Sequence, residues 1–167
     1  MDYLSCYLQE SKDKYLLMFK LNLPTFDFKL SSKDSKKIIF DIIRKKHCVL
    51  TPEEWVRQNL IHYLVFKLNY PKSFIKVEGK LKYNNLTKRA DILVYDNNFA
   101  IKLLVECKSY KLKLNKSAFD QASVYNKIFK SEYLMVSNGI NHFCCKYDWK
   151  NKKINYVDSF PEYKIIK

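Results

Sequence analysis

Asp91, Glu106 and Lys108 all lie within RADILVYDNNFAIKLLVECKSY, residues 89–110. The stretch reads as a hairpin: a strand ending at Asp96, a turn on Asn97-Asn98, and a second strand from Ala100 to Lys108. Strand side chains alternate, so Leu103, Val105 and Cys107 point one way while Leu104, Glu106 and Lys108 point the other. Antiparallel pairing about that turn brings Asp91 close to Glu106 and Lys108 across the ladder. Two carboxylates at one point repel, and one pKa rises, unless a cation separates them. A salt bridge, a hydrogen-bond network or a metal ion would each compensate a buried carboxylate. Of these, hard Mg²⁺ takes oxygen ligands and keeps waters for a substrate phosphate. A lysine two residues beyond the second carboxylate can then orient a water for attack on phosphorus and neutralise developing charge. The chemistry this layout suits is phosphodiester hydrolysis.

The elements that must position these residues can be read from pattern. LTPEEWVRQNLIHYLVFKLNY predicts a helix from about Pro52 to Leu68, with Thr51 as N-cap, Pro52 at the first helical position and Val56, Leu60, Leu64 and Leu68 along one stripe. Three strands follow, Phe74–Lys80, Arg89–Tyr95 and Ala100–Lys108. Next come a helix over about Lys116–Lys130 with Ala118, Ala122, Tyr125 and Phe129 at helical spacing, and a short strand, YLMVS. Asn138-Gly139 marks a turn, with closing strands at His142–Tyr147 and Ile154–Val157. Before the first helix, YLLMFKL, FDFKL and KKIIFDIIRKKHCVL read as short strands around turn chemistry. The order predicts an α/β fold, a mixed sheet with helices packed on it. It forms a single domain over 1–167, with a strand-rich extension (1–48), a core (49–147) and a C-terminal strand and tail (148–167).

Bulk composition narrows the function classes. With 167 residues, 47% hydrophobic and 16% aromatic, the chain is long enough for one packed core. No apolar run is long enough to span a bilayer, and the N-terminus lacks a basic start followed by an apolar block, so a cytoplasmic protein without a signal peptide is expected. Five cysteines with no CxxC pair argue against a disulfide framework and a zinc ribbon. Cys144 and Cys145 should point to opposite faces of a strand. His47, His62 and His142 lack ligand spacing and suit surface or core roles. A net charge of +14 favours a polyanionic partner, nucleic acid first. The abundance of Lys, Ile, Asn and Tyr, with only 2 Gly, also resembles the residue bias of an AT-rich genome, which dilutes that inference.

The Asp followed by Glu106-Cys107-Lys108, on the second and third strands after a capped helix, resembles the PD-(D/E)xK nuclease superfamily and its αβββαβ core. More specifically, TPEEWVRQNLIHYL, RADILVYD, LLVECKSY, FDQASVYN and YLMVSNG resemble the N-terminal nuclease domain of type I restriction enzyme R subunits, over about Phe40–Tyr147. The resemblance implies a restriction-endonuclease-like fold and a nuclease acting on DNA with Mg²⁺, for which Mn²⁺ can substitute. It implies Asp91 and Glu106 as metal ligands, the Cys107 carbonyl as a further ligand, and Lys108 as the catalytic lysine. Gln121 and Tyr125 match a Qx₃Y element, and Glu54 with Arg57 matches an EExxR pattern. Lys80, Lys82, Lys88 and Arg89 would position the nucleic-acid backbone. No GxxxxGK[ST] stretch is present, so the chain is expected to act without a helicase motor, alone, as a homodimer or with a partner protein.

Plainer readings stand beside these. Glu54 could close a capping box with Thr51, Arg57 could pair with Glu53, and Glu106 and Lys108 could form a structural cross-strand salt bridge. Gln121 lies beside Ala118, Ala122 and Tyr125, so its amide is expected to point toward the sheet, where it and Tyr125 could be packing residues. A non-catalytic nucleic-acid-binding module on the same fold is the alternative function. A structural protein whose charge reflects composition is a third.

Overall fold

The structure, a computed structural model, describes residues 19–83 and 86–163. The extension forms a three-stranded antiparallel sheet of β1 (Leu30–Lys33), β2 (Lys36–Asp41) and β3 (Lys46–Val49). Helix α1 (Pro52–Phe66) follows, then a 3₁₀ turn at Lys72–Phe74 and the strands β4 (Ile75–Tyr83), β5 (Leu86–Tyr95) and β6 (Ile101–Cys107). Helix α2 (Lys116–Phe129) leads to β7 (Tyr133–Ser137), β8 (His142–Asp148) and β9 (Lys153–Tyr156). Strands β4 to β9 lie side by side in chain order in one six-stranded sheet. Hairpins make every neighbour antiparallel except β6 and β7, which are parallel because α2 carries the chain back across the sheet. The protein is α/β, with a mixed sheet flanked by α1 on one face and α2 on the other.

Helix α1 starts where its sequence requires. The Thr51 hydroxyl accepts the Glu54 amide at 3.0 Å, and Pro52 needs no partner for a missing N–H. It ends two residues earlier than the apolar stripe suggests. The amides of Lys67 and Leu68 both converge on the Tyr63 carbonyl, and Asn69 takes a positive φ of 60°, turning the chain away. Val56, Leu60 and Leu64 are buried as expected, yet so are Trp55, Arg57, Gln58, Asn59 and His62 on other faces. The extension covers the side of α1 that the sheet leaves open, with the Phe28 ring 4.8 Å from Trp55 and 4.4 Å from His62.

That covering is made by side chains rather than by a ladder. YLLMFKL and FDFKL were expected as strands, and Tyr15–Met18 lie outside the described residues. Phe19–Leu21 and Phe26–Lys29 are not strands: Leu21 and Phe28 insert singly into the core beside α1, and Lys29 makes one backbone bond to β2, its carbonyl accepting the Phe40 amide at 2.9 Å, rather than a ladder. The three strands of the core and YLMVS fall where pattern placed them to within three residues, and the closing strands shift by one.

Alternation along β6 divides the core. Leu103, Val105 and Cys107 pack on the α1 side, whereas Leu104 joins Phe119, Ala122 and Phe129 on the α2 side. Cys144 and Cys145 separate in the same way, one to each face, and the described cysteines are all free thiols. Among the described residues no helix is long and apolar enough to cross a membrane.

The turn after β7 fastens the extension to the sheet. Gly139 sits at φ +81°, where a side chain is disfavoured, and its carbonyl accepts the Asn22 amide at 2.7 Å. A Cβ there would lie 2.7 Å from Leu21 Cδ2. Gly139→Ala should therefore lower stability by about 1–3 kcal/mol in chemical denaturation, through strain and displacement of Leu21 together.

Candidate active site

Strands β5 and β6 pair from Tyr95↔Ile101 to Ile92↔Val105 and then part. Beyond that point β6 keeps only its parallel partner, through Glu106↔Val136 and Cys107↔Ser137. The gap is filled by a side chain: Asp91 Oδ2 accepts the Cys107 amide at 2.7 Å, in place of a ladder carbonyl. Asp91 and Glu106, each only 8% exposed, thereby face one another at the fork. Burial, then the charge of Asp91, pushes the Glu106 carboxyl up from its ordinary 4.5 to about 8, against the pull of Lys108. Glu106 Oε1 is buried without a hydrogen-bond partner. Lys108 is half-buried beside it, its amide donating to the Ser137 carbonyl at 2.8 Å and its ammonium free of ion pairs among the described residues.

A chain of buried charges extends from this fork. Arg57 on α1 donates to Asp91 Oδ1 at 2.8 Å, to Glu53 at 2.9 Å and to Glu54. Arg44, in the loop between β2 and β3, donates to Glu54, to Asp41 Oδ2 at 2.6 Å and to Glu78 Oε2 at 2.9 Å. Gln58 adds donors to Asp41 at 2.7 Å and Glu54 at 2.9 Å. Burial alone would raise the Asp41 carboxyl, but bonds from the Arg44 amide and guanidinium, Gln58 and the Ile43 amide outweigh it and hold the group below its ordinary 3.8. Glu78, at a positive φ of 53°, also receives Arg89 at 3.2 Å.

The residues expected from sequence fare differently. Asp91, Glu106 and Lys108 come together. Glu54 makes only half of a capping box, since the Thr51 amide bonds the Val49 carbonyl and the Glu54 carboxylate turns to Arg44, Arg57 and Gln58. Arg57 forms the expected pair with Glu53 and spans Glu54 and Asp91 as well. The expectation that Gln121 points toward the sheet is wrong: the buried stripe of α2 is Phe119, Ala122, Asn126 and Phe129, which leaves Gln121 exposed. The stripe is shifted because Asn126 is buried to bond Ser131, accepting its amide at 3.0 Å and its hydroxyl at 2.6 Å. Tyr125 is half-buried, with the Lys88 ammonium 5.0 Å from its ring centre, and bonds neither carboxylate. Lys80 and Arg89 are exposed, and the Lys82 side chain falls outside the described residues. Sequence reasoning missed Asp41, Arg44, Gln58 and Glu78. Its one available signal was an arginine in a lysine-rich loop.

Whether a divalent ion fits is decided by donor chemistry. Two buried carboxyls that face one another, with one Glu106 oxygen lacking a donor, form a hard oxygen set suited to Mg²⁺. Each oxygen of Asp91 has a second lone pair beyond the bond to Arg57 or Cys107. The Cys107 thiol is no ligand, because burial holds it protonated and it faces the core. Asp41, Cys48 and Glu54 also lie close enough to share an ion, but the Arg44 guanidinium already bonds both carboxylates there.

Two outcomes follow. Arg44→Ala strands Asp41 and Glu54 and should cost about 3–5 kcal/mol in chemical denaturation, with Arg44→Lys recovering only part because an ammonium cannot fork to three carboxylates. For Glu106, a folded-state pKa above the unfolded value means the native state binds more protons between 4.5 and about 8, so its contribution falls as pH rises through that window. Glu106→Gln should accordingly raise the melting temperature in EDTA at pH 8 by a few degrees and change it little at pH 4.5.

The fork, its charge chain and the flanking lysine can be compared with known proteins. The family model described as the type I restriction enzyme R protein N terminus matches residues 52–161. No curated protein matches. Among solved structures, a fragment of an HsdR subunit of a type I restriction enzyme from Vibrio vulnificus YJ016 is 22% identical, with a TM-score of 0.37 over 55% of this chain. The match spans 17% of that protein's chain. From α1 through β9, this chain belongs to the type I restriction enzyme R protein N-terminal family.

Proposed function

We propose that the chain is a Mg²⁺-dependent nuclease of the PD-(D/E)xK type that hydrolyses phosphodiester bonds in DNA. The observation that carries the reading is the Asp91–Glu106 pair at the parting of β5 and β6, with a donorless buried oxygen and Lys108 alongside. Asp91, Glu106 and the Cys107 carbonyl would hold the ion. When bound, the ion supplies Lewis-acid chemistry, lowering the pKa of water and polarising the phosphodiester.

The chain's own groups do the rest. Arg57 and the Cys107 amide fix both oxygens of Asp91, so that carboxylate is oriented before any ligand arrives. Glu54 acts through Arg57, holding the guanidinium that orients Asp91, and is a positioning residue. The Lys108 ammonium is placed to pair with a phosphate oxygen and with charge developing in the transition state. Lys80, Lys88 and Arg89, on β4 and β5, offer cations to the backbone of a strand crossing the fork, while Tyr125 backs Lys88.

One observation favours a second reading, a non-catalytic nucleic-acid-binding module: Arg57 already neutralises part of the Asp91 charge. Cleavage of supercoiled plasmid and labelled linear DNA with Mg²⁺ or Mn²⁺ separates the two. Products should appear with metal, vanish in EDTA, and fall at least about a hundredfold in Lys108→Ala and Asp91→Asn. DNA bound but uncut by the wild-type protein supports the binding module instead.

A further inference from the structure

Beside the charge chain lies a second feature that the nuclease reading does not use. A cavity of about 440 Å³ opens between the extension and the C-terminal half of α1, within the size range of small-ligand sites. Lys29, Lys45 and Lys72 stand on its rim, and Phe40 and Phe66 form its walls. The Lys29 ammonium lies 5.7 Å from the Phe40 ring centre, and that of Lys72 lies 5.5 Å from Phe66. Phe66 is 53% exposed, an unusual position for a ring that has a core next to it. One acid, Asp27, shares the rim, which keeps the cavity cationic.

His62 completes it. This residue is 4% exposed, lines the cavity and packs among Phe26, Phe28 and Phe66. Its Nδ1 lies 2.9 Å from the Gln58 carbonyl, which can only accept, so Nδ1 carries the proton. Burial lowers the pKa of the ring against the pull of that bond, favouring the neutral form, in which Nε2 is an acceptor. Nε2 has no partner among the described residues. Cations at the rim, an exposed aromatic wall and an unpartnered ring-nitrogen acceptor match the three parts of a nucleotide: phosphate, base face and base N–H.

We infer that this cavity is a subsite for one unpaired nucleotide of a nucleic-acid strand, with its phosphates on Lys29, Lys45 and Lys72, its base against Phe66, and a base N–H on His62. The inference rests on the nuclease reading for the identity of the polymer. It also explains a placement that catalysis alone does not. The loop between β2 and β3 inserts Arg44 into the charge chain and Lys45 into the cavity, at adjacent positions. Along α1, His62 follows Glu54 by eight residues, about 12 Å at helical rise, so one helix carries a residue of the charge chain and a residue of the cavity. Five of its lining residues precede residue 52, outside the stretch matched by the family model, and the other three, His62, Phe66 and Lys72, lie within it, so the extension and the core build the subsite together.

The test is fluorescence anisotropy on the full chain in EDTA, where no cleavage occurs. The probes are a labelled single-stranded oligonucleotide, a blunt duplex of the same sequence, and a polyglutamate peptide. Variants are Phe66→Ala and the triple Lys29→Gln/Lys45→Gln/Lys72→Gln, all at exposed positions, with Lys153→Gln on β9 as a single-charge control, compared per charge removed. Phe66→Ala should weaken single-strand binding about tenfold and leave the blunt duplex unchanged. The triple variant should flatten the dependence of log K on log salt by about two, with Lys153→Gln near wild type. The inference is overturned if Phe66→Ala binds the single strand as tightly as wild type, if Lys153→Gln matches a third of the triple effect, or if polyglutamate binds more tightly than the oligonucleotide. Failure here leaves the nuclease reading intact when Lys108→Ala still abolishes cleavage. Loss of single-strand affinity in a protein that cuts nothing leaves the subsite and removes the nuclease.

Discussion

An ionised carboxylate taken out of water costs several kcal/mol unless it is paired, and four of the carboxyl groups buried among the described residues, Asp41, Glu54, Asp91 and Glu106, gather around two guanidiniums. The arrangement is linear: Asp41 to Arg44 to Glu54 to Arg57 to Asp91, with Glu106 at the end. Arg44, Glu54 and Arg57 each touch opposite charge on both sides. Glu106 does not. It meets Asp91 on one side, and the pull of Lys108 and Arg57 does not offset burial and that repulsion, so the least compensated carboxyl lies at the fork between β5 and β6. The other members are ion-paired among themselves, although Arg57 Nε and Gln58 Oε1 are also buried without partners among the described residues.

The extension is part of that network rather than an addition to it. Asp41 and Arg44 come from β2 and the loop after it, before the stretch that matches the family model, yet they bind Glu54, which in turn holds Arg57. The burial of α1 on more than its sheet-facing side has the same cause. With the sheet on one side and Phe28 and the three-stranded sheet on the other, the polar residues Arg57, Gln58 and His62 are forced to find partners inside, and two of the three do so through the charge chain.

Much of the core was readable because its signals are local. A capping threonine and a proline at N1 mark the start of α1. A parallel strand of five consecutive buried residues reads as YLMVS, and an Asp–Asn–Asn turn reads as a hairpin. Asp91, Glu106 and Lys108 were readable because alternation along two paired strands is enough to bring them together. What escaped depends on contacts distant in sequence. Nothing local says that Arg44 reaches Glu78, 34 residues away, or that Leu21 rests on Gly139. Gln121 was misplaced for a subtler reason: a buried asparagine looks polar, and counting Asn126 as solvent-facing rotates the apparent apolar stripe of α2 by about one residue.

The sequence contains three arginines, Arg44, Arg57 and Arg89, in a chain with 31 basic residues. In so lysine-rich a composition most cations serve the surface, and net charge says little about any one of them. The arginines differ. All three bond carboxylates of the same cluster, and two of them, the buried Arg57 and the partly buried Arg44, each reach three carboxylates at once. A lysine ammonium is a compact, strongly hydrated charge and cannot fork in this way. The lysines placed near the site do the opposite work: Lys108, Lys88 and the rim lysines of the cavity keep their ammoniums outside this lattice, available to an anion that is not part of the protein. The division between arginines that hold carboxylates and lysines that are left unpaired separates the scaffold of the site from the surface on which a polyanion would lie.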